Sequence, residues 1–213
     1  MNALLELLFP PKCMLCGSPL GGDEEVCGRC RQRVLLNTAP PLVTAGAFFD
    51  KAAAGLWYEG DVRRAIHGLK YREKQSYARP LARVMAYAWE HKLGEGCDLI
   101  TYVPTNRSTL RRRGYDQAQL LARELSGLLD MPWTAALEKT RETVPMHGLK
   151  PDARRANVLG AYRILENTDV KGKRVALLDD ILTTGATAGE CARVLLSAGA
   201  KEVHCAAMAA ARK

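Results

Sequence analysis

A short apolar run that ends in two adjacent acids and a threonine-rich turn constrains this chain more than any other segment. Val175 to Leu178 are consecutive apolar residues, which is the character of a buried parallel strand. Asp179 and Asp180 follow this run, and a helical pattern from about 186 to 197 stops at Gly199. The order of strand, turn and helix predicts an α/β fold with polar side chains gathered at the end of a central strand.

The residue types in the turn suit a phosphorylated sugar. A helix N-terminus offers unpaired N–H groups and the positive end of a dipole, both of which favour a phosphate. Gly185 lets the backbone come close to that phosphate, and the threonine hydroxyls around it can donate to its oxygens. Asp179 and Asp180 can accept hydrogen bonds from the two hydroxyls of a ribose. The alternative is an acidic strand end with a threonine cap and no ligand, which the complete combination of residues disfavours.

The segment from Val175 to Thr187 resembles the motif that binds phosphoribosyl pyrophosphate (PRPP) in the type I phosphoribosyltransferases. The resemblance implies a parallel sheet flanked by helices, and magnesium bound together with PRPP because this ion prefers oxygen ligands. Such catalysis is mostly positioning and electrostatics, so no dedicated nucleophile is expected and no catalytic residue is assigned. The residues implied to bind PRPP are Asp179, Asp180, Thr183, Thr184, Gly185, Ala186 and Thr187.

Two Cys-x-x-Cys pairs near the start of the chain predict a zinc site. Ten residues separate the pairs, a spacing that suits one tetrahedral zinc ion bound by four thiolates. Disulfides and a redox role are the alternatives, but we expect a reducing compartment, and a redox motif needs no matched second pair. We therefore expect a zinc-binding module over residues 1–38, a linker at Pro40 and Pro41, and a phosphoribosyltransferase-like domain over residues 39–213. The expected ligands of this structural zinc are Cys13, Cys16, Cys27 and Cys30.

The net charge of the chain favours anionic partners. It is +8 at pH 7, which is compatible with phosphorylated metabolites and with nucleic acid and does not distinguish them. Residues 3–9 are apolar but include Glu6, so we do not expect a signal peptide, and no segment approaches the ~20 apolar residues of a membrane span. We expect a cytoplasmic protein with no membrane partner. The remaining cysteines, Cys97, Cys191 and Cys205, are expected in the core.

An arginine-rich segment follows a second apolar run. Leu99 to Val103 predicts a buried strand, and a helix is expected from about Asp116 to Leu129. The loop expected between them would lie at the carboxyl edge of a parallel sheet, where α/β proteins bind ligands. Because arginine can bind two phosphate oxygens at once, we expect this loop to bind pyrophosphate or nucleic acid, with a solvated basic loop as the alternative. Its arginines are Arg107, Arg111, Arg112 and Arg113.

The remaining segments complete the predicted fold. Helices are expected over about 61–70, with Asp61 as the N-cap, and over about 77–91. Further strands are expected within 46–49, 54–58, 133–141, 158–164 and 202–209, and residues 143–149 are expected to form a mobile loop over the ligand. Lys70 and Tyr71, which end the first helix, are kept as candidates for the site. The roles of Lys70, His147, Arg154 and Asn157 stay open.

The order of these motifs resembles the ComF family of competence-associated proteins. The cysteine pairs come first, the segment from Leu110 to Ala118 follows, and the PRPP-type motif comes last. The resemblance implies an N-terminal zinc finger joined to a phosphoribosyltransferase-like domain, and it matches Arg154 and Asn157 to an Arg-x-x-Asn pattern. The chain departs from the family at Asp116, where asparagine is usual, and at Met146, where glutamine is usual.

Three functions follow from these resemblances. The first is a ComF-like protein that binds PRPP with magnesium and single-stranded DNA, acts in DNA uptake or use, and has DNA-uptake proteins as further partners. The second is an active phosphoribosyltransferase that transfers phosphoribose from PRPP to a nitrogenous acceptor. The third is a sensor that binds PRPP without turnover and reports to a protein partner. The sequence shows no base-reading pocket, so the acceptor, the catalytic activity and the oligomeric state stay open.

Overall fold

The computed structural model describes residues 12–21, 26–30, 32, 48–71, 75–93, 96–144, 146 and 148–211. Its strands and helices are, in chain order, β1 (Lys51–Trp57), α1 (Gly60–Tyr71), α2 (Ala78–Ala88), β2 (Leu99–Tyr102), α3 (Arg107–Arg113), α4 (Gln117–Leu129), β3 (Leu137–Lys139), α5 (Pro151–Val158), β4 (Tyr162–Ile164), β5 (Arg174–Leu182), α6 (Ala186–Ser197) and β6 (Glu202–Ala210). A 3-10 turn, Gln75–Tyr77, precedes α2, and a π-helical turn, Trp89–Leu93, follows it. The linker expected at Pro40 and Pro41 and the side chain of His147 lie outside the described residues. Within those residues, no helix is long and apolar enough to cross a membrane.

Four parallel strands form the central sheet in the order β1-β6-β5-β2. Because side chains alternate along a strand, β5 sends its apolar residues into two different layers. Leu178 packs in one buried cluster with Leu121 of α4, whereas Leu177 packs in the other with Leu195 of α6. Burial of each such leucine contributes about 1.5–3 kcal/mol. The result is the expected type I phosphoribosyltransferase-like architecture, a parallel sheet flanked by helices.

The segment around the two acids folds as the sequence predicts. β5 extends beyond the apolar run to Leu182, so Asp179 and Asp180 lie in the last part of the strand. The helix α6 has the predicted bounds. Gly185 directly precedes it with φ 74°, a left-handed conformation that glycine adopts without a steric penalty. Strand β5 therefore delivers its acids to the turn that begins α6.

The arginine-rich segment is a short helix, α3, and not the expected loop. Asn106 caps its start, since its side-chain oxygen accepts a hydrogen bond from the backbone N of Thr109 at 2.8 Å. Gly114 ends the helix in a left-handed conformation with φ 80°. The prediction was wrong because the arginines hide any apolar periodicity, whereas Asn106 and Gly114 are the local signals of the two helix ends.

Several predicted strands and one helix start differ in the structure. The strand β1 covers Lys51–Trp57, where two shorter strands were expected, and the described Phe48 and Phe49 lie outside it. The strand β3 keeps only three residues of the expected 133–141 and pairs antiparallel with β4. The strand β4 starts at Tyr162 because the residues up to Val158 form α5. The helix α1 begins at Gly60, which places Asp61 inside its first turn. We call residues 137–164, which include β3, α5 and β4, the hood.

The cysteine module packs against the helices of the larger domain. Its apolar residues Met14, Leu15 and Leu20 are buried in one cluster with Ile66 and Leu69 of α1. A small segment of this kind can hardly bury a core of its own. The module therefore shares the core of the phosphoribosyltransferase-like domain, while the expected boundary at residue 38 lies outside the described residues.

Candidate functional site

The end of β5 and the start of α6 line a depression in the protein surface. Its lining combines the segment from Ile181 to Ala188 with Asp179 and with two hood residues, Met146 and Arg154. The residues expected to bind PRPP thus lie around one depression, with the exception of Asp180, which is buried and does not line it. The structure brings together side chains that the sequence analysis had grouped only by their order in the chain.

The turn before α6 has the geometry of an anion site. The hydroxyl of Thr184 accepts a long hydrogen bond from the backbone N of Ala186 at 3.4 Å, and the N-cap residue Gly185 has no side chain that could cap the helix. The first bond inside the helix runs from the N of Gly189 to the carbonyl of Gly185 at 2.7 Å. The N–H groups of the first helical turn have no acceptor within the helix, and the dipole adds positive potential there. This arrangement can hold a phosphate group.

Asp179 and Asp180 have different surroundings. Oδ2 of Asp180 accepts hydrogen bonds from Nζ of Lys70 at 2.7 Å and from Nε2 of Gln117 at 2.9 Å. Oδ1 of Asp179 accepts one from the backbone N of Asp180 at 2.8 Å. Burial, and then the charge of Asp180, raises the pKa of Asp179 above its usual range. The pair therefore combines an ion-paired carboxylate with a carboxyl group that its surroundings push toward the protonated form.

Lys70 supplies the positive charge at this pair from the last turn of α1. Burial lowers the pKa of Lys70, but the attraction of Asp180 and of Asp179 outweighs it, so the net pKa is raised. The end of α1 is fixed by the hydroxyl of Tyr115, which donates a hydrogen bond to the carbonyl of Leu69. The structure thus places Lys70, whose role the sequence left open, at the acid pair.

Asp116 ties the start of α4 to the end of β2. Its carboxylate accepts hydrogen bonds from the backbone N of Thr105 at 2.7 Å and of Ala118 at 2.8 Å. Burial raises the pKa of Asp116, and these backbone donors oppose that effect. An asparagine has one side-chain oxygen and could accept the bond from Ala118 that caps α4, so the aspartate keeps the helix cap and its second oxygen adds the bond from Thr105. The cap fixes the first turn of α4, from which Gln117 reaches Asp180.

The four candidate arginines have different partners. Arg107 forms an ion pair with Glu138 of β3 at 3.2 Å, and Arg113 donates a hydrogen bond to Oε1 of Gln117. Arg111 and Arg112 are exposed, and neither forms an ion pair within the described part of the chain. None of the four lines the depression, whereas Arg154 does. The arginine next to the turn therefore comes from the hood.

Two residues that the sequence left open shape the hood. The amide of Asn157 accepts a hydrogen bond from the backbone N of Val144 at 3.1 Å and donates one to its carbonyl at 2.9 Å. Nε of Arg154 donates to the carbonyl of Leu149 at 2.9 Å. These bonds tie Val144 and Leu149 to α5. Met146, which lies between them in the sequence, lines the depression.

Lys139, a half-buried residue of β3, was not predicted from the sequence as part of the site. Its Nζ donates a hydrogen bond to Oγ1 of Thr143 at 2.8 Å and lies 5.6 Å from the centre of the Tyr162 ring. Burial lowers its pKa, and the negative charges nearby, which include Asp179, oppose this. A single lysine in a short strand has no local signal, so its electrostatic interaction with Asp179 follows only from the folded chain.

The cysteine pairs converge on one point. The sulfur atoms of Cys13, Cys16, Cys27 and Cys30 all lie within 4.8 Å of one another. Sγ of Cys16 is 3.7 Å from Sγ of Cys27, and zinc–sulfur bonds of about 2.3 Å in a tetrahedron place two sulfurs about 3.8 Å apart. A hydrogen bond with Ser18 lowers the pKa of Cys16 to about 6, which favours the thiolate that zinc requires. The four residues fit a structural zinc site with no position left for a substrate.

Comparison with known proteins finds the same two parts in the same order. Residues 4–42 match the double zinc ribbon domain, and residues 109–213 match the phosphoribosyl transferase domain. The chain is 32% identical over 197 residues to the DNA utilization protein YhgH of Escherichia coli O157:H7, which covers 90% of this chain and 81% of that protein. It is 30% identical over 203 residues to competence protein F of Haemophilus influenzae, with 91% and 82% covered. Among solved structures, the glutamine PRPP amidotransferase from B. subtilis is 24% identical, with 63% of this chain and 26% of that chain covered and a TM-score of 0.43.

Proposed function

This chain belongs to the ComF family of DNA utilization and competence proteins, and we propose on that premise that it binds PRPP together with magnesium at the end of β5. The observation that carries the proposal is the depression lined by Asp179 and by the turn from Thr183 to Thr187. It joins a helix N-terminus to the carboxyl group of Asp179 within one small surface, a combination that suits a 5-phosphorylated ribose. We propose residues 1–38 and 39–213 as the two domains.

Each part of PRPP suits a different part of the site. The 5-phosphate suits the N-terminus of α6, and the ribose hydroxyls suit Asp179 and Asp180. The pyrophosphate suits the arginines of α3, with Arg154 as a further contact because it lines the depression. Magnesium would bind through the oxygens of the pyrophosphate and the ribose, since it prefers oxygen ligands. The chain contributes by orienting those hydroxyls at the acid pair.

We propose single-stranded DNA as the macromolecular partner. The names of the relatives support a role in DNA use, and the chain carries a net charge of +8. The exposed Arg111 and Arg112 lie next to one another on α3, so both can contact a phosphate backbone. DNA-uptake proteins are the further partners that this role implies.

Thermal stabilisation by ligands tests the PRPP site. A ligand that binds only the folded state at a hundred times its Kd stabilises that state by about 2.7 kcal/mol. We expect a rise in Tm with PRPP and magnesium, a smaller rise with ribose 5-phosphate, and none with a nucleoside triphosphate. The Thr184→Val/Thr187→Val variant should lose the rise, while Thr168→Val, outside the depression, should keep it. Equal stabilisation of the wild type and the double variant would place the ligand elsewhere.

A working transferase is the second candidate function, because the hood places Met146 and Arg154 beside the proposed ribose site, where an acceptor would enter. Pyrophosphate release from PRPP, measured across nucleobases and other amines, separates this function from binding without turnover. If pyrophosphate is released with one acceptor, and this release is lost in the Asp179→Asn/Asp180→Asn variant, the protein is an enzyme and that acceptor is its substrate. Binding without release makes it a PRPP sensor.

A further inference from the structure

Lys70 and Asp180 form a buried ion pair inside the proposed sugar site. Their side chains are 18% and 8% exposed, and the pair is closed at 2.7 Å. A buried ion pair is often no more stabilising than an apolar pair of the same size, because both charges lose their hydration. Fold stability alone therefore does not explain a lysine at this position.

The charges at the acid pair are balanced without a metal ion. Lys70 compensates Asp180, and the raised pKa of Asp179, caused by burial and by Asp180, favours its neutral form. A divalent cation bound directly by the pair would need both carboxyl groups deprotonated. It would also compete for Oδ2 of Asp180, which already accepts hydrogen bonds from Lys70 and from Gln117.

The position of Lys70 is fixed by its neighbours and does not depend on a ligand. Leu69, the preceding residue, is 1% exposed, and its carbonyl accepts the hydrogen bond from Tyr115. Gln117 reaches Asp180 from α4, whose first turn is held by Asp116. The helices α1 and α4 therefore hold the two donors, Lys70 and Gln117, against Asp180.

We propose that Lys70 is a built-in counter-cation that keeps Asp179 and Asp180 as acceptors for sugar hydroxyls and prevents them from binding a divalent metal directly. The exclusion of metal is a property of the ligand-free chain, whereas the binding of sugar hydroxyls rests on the proposed function. A consequence is that a 5-phosphorylated pentose binds without metal. Only the pyrophosphate group of PRPP then requires magnesium.

Manganese binding to the zinc-loaded, ligand-free protein tests this role, because Mn²⁺ uses the oxygen ligands of Mg²⁺ and is visible by electron paramagnetic resonance. The wild type should show no Mn²⁺ site at the pair. Both Lys70→Met and Lys70→Gln should gain one, and Lys70→Met/Asp180→Asn should lose it again. Lys201→Met, which removes an exposed lysine before β6, should behave as the wild type.

Two results would overturn the proposal. One is a Mn²⁺ site in the wild type that disappears in Asp179→Asn/Asp180→Asn. The other is a failure of both Lys70 variants to gain a site while their circular dichroism shows a native fold. A Mn²⁺ site at the pair in the wild type overturns the proposal even where Lys70→Met does not fold, and Lys70→Gln, which keeps a polar side chain, then provides the test of a gained site.

Binding of ribose 5-phosphate in metal-free buffer gives the second readout. Calorimetry should show binding to the wild type and about tenfold weaker binding to Lys70→Met, which corresponds to about 1.4 kcal/mol. Equal binding to both proteins would contradict the role of Lys70 at the sugar. If the wild type binds neither ribose 5-phosphate nor PRPP, the proposed function is wrong, and the Mn²⁺ experiment still decides the role of Lys70.

Discussion

Leu15 of the zinc ribbon and Leu69 of α1 belong to one buried cluster and are 5% and 1% exposed. The cysteine loop also lines a groove together with residues of α1. Lys70 follows Leu69 and forms the ion pair with Asp180. The zinc ribbon and the proposed sugar site are therefore connected through a single helix.

Loss of zinc should destabilise the whole chain and weaken the distant sugar site. For Cys30→Ser we expect loss of bound zinc, measured by metal analysis, because only three of the four thiolate ligands of a tetrahedral site remain. We expect a destabilisation on the order of 3 kcal/mol, or roughly 6–12 °C in Tm. Affinity for PRPP should fall as well, because α1 loses part of its packing. Cys97→Ser removes a thiol outside the cluster and should keep its zinc, and a Cys30→Ser protein with unchanged Tm would contradict the shared core.

Gly185→Ala should weaken both the fold and the phosphate site. An alanine at φ 74° costs roughly 1–2 kcal/mol, and relief of this strain should change the turn that begins α6. Gly127→Ala is the matched control, because Gly127 lies within α4 with nothing near its Cβ position. That control should raise Tm slightly, since alanine is the better helix former. Thermal melts with and without PRPP measure both effects, and an equal response of the two variants would contradict a special role for the turn.

Asp179→Asn should stabilise the protein at neutral and alkaline pH. Asp179 interacts electrostatically with Asp180, Lys70, Asp116 and, from the hood, Lys139, and its folded pKa is raised above the unfolded value by burial and by Asp180. The folded state thus binds more protons than the unfolded state, so wild-type stability falls as pH rises from about 4 through the raised pKa. The gain in the variant should be on the order of 1 kcal/mol, or roughly 2–4 °C in Tm, at pH 8 and should vanish near pH 4.

The control for this pH dependence is Asp169, whose pKa is shifted in the opposite direction from that of Asp179. The pKa of Asp169 is lowered by its hydrogen bond with Lys173, so its contribution to stability is present above the unfolded pKa and is lost as pH falls. Asp169→Asn should therefore give no stabilisation at pH 8. A gain in Tm for Asp169→Asn equal to that for Asp179→Asn would show that the effect comes from net charge and not from burial.

The exposed arginines of α3 should carry part of the binding to single-stranded DNA. Each phosphate contact adds about 0.7 to the slope of log K against log salt for single strands. Arg111→Ala/Arg112→Ala should therefore weaken oligonucleotide binding and reduce this slope by about 1.4, as measured by fluorescence anisotropy at several salt concentrations. Arg79→Ala/Arg123→Ala removes the same charge from other exposed positions. An equal loss in both double variants, or no DNA binding at low salt, would contradict a binding surface on α3.

The features that were predicted correctly have local signals. Strand β5 follows from an apolar run, and α6 follows from its apolar periodicity and from Gly185 before it and Gly199 after it. The zinc ribbon follows from the spacing of its cysteines. Each of these signals lies within a few dozen residues, so one sequence was enough to identify it.

The features that were missed depend on contacts between distant segments. Lys70 and Asp180 lie far apart in the sequence, and only the packing of α1 beside the sheet brings them to 2.7 Å. The same holds for Lys139 of the hood, because its electrostatic interaction with Asp179 depends on the folded chain. The helix α3 is a different case, because Asn106 was a local signal that the arginines obscured.

Calorimetric titration of PRPP into the zinc-loaded protein is the most direct test of the central claim, which is that the end of β5 binds PRPP. With magnesium present, the wild type should bind about one PRPP per chain. Asp179→Asn/Asp180→Asn should bind about a hundredfold more weakly, which corresponds to about 2.7 kcal/mol. Equal affinity in the two proteins, or no binding to the wild type, would contradict the claim.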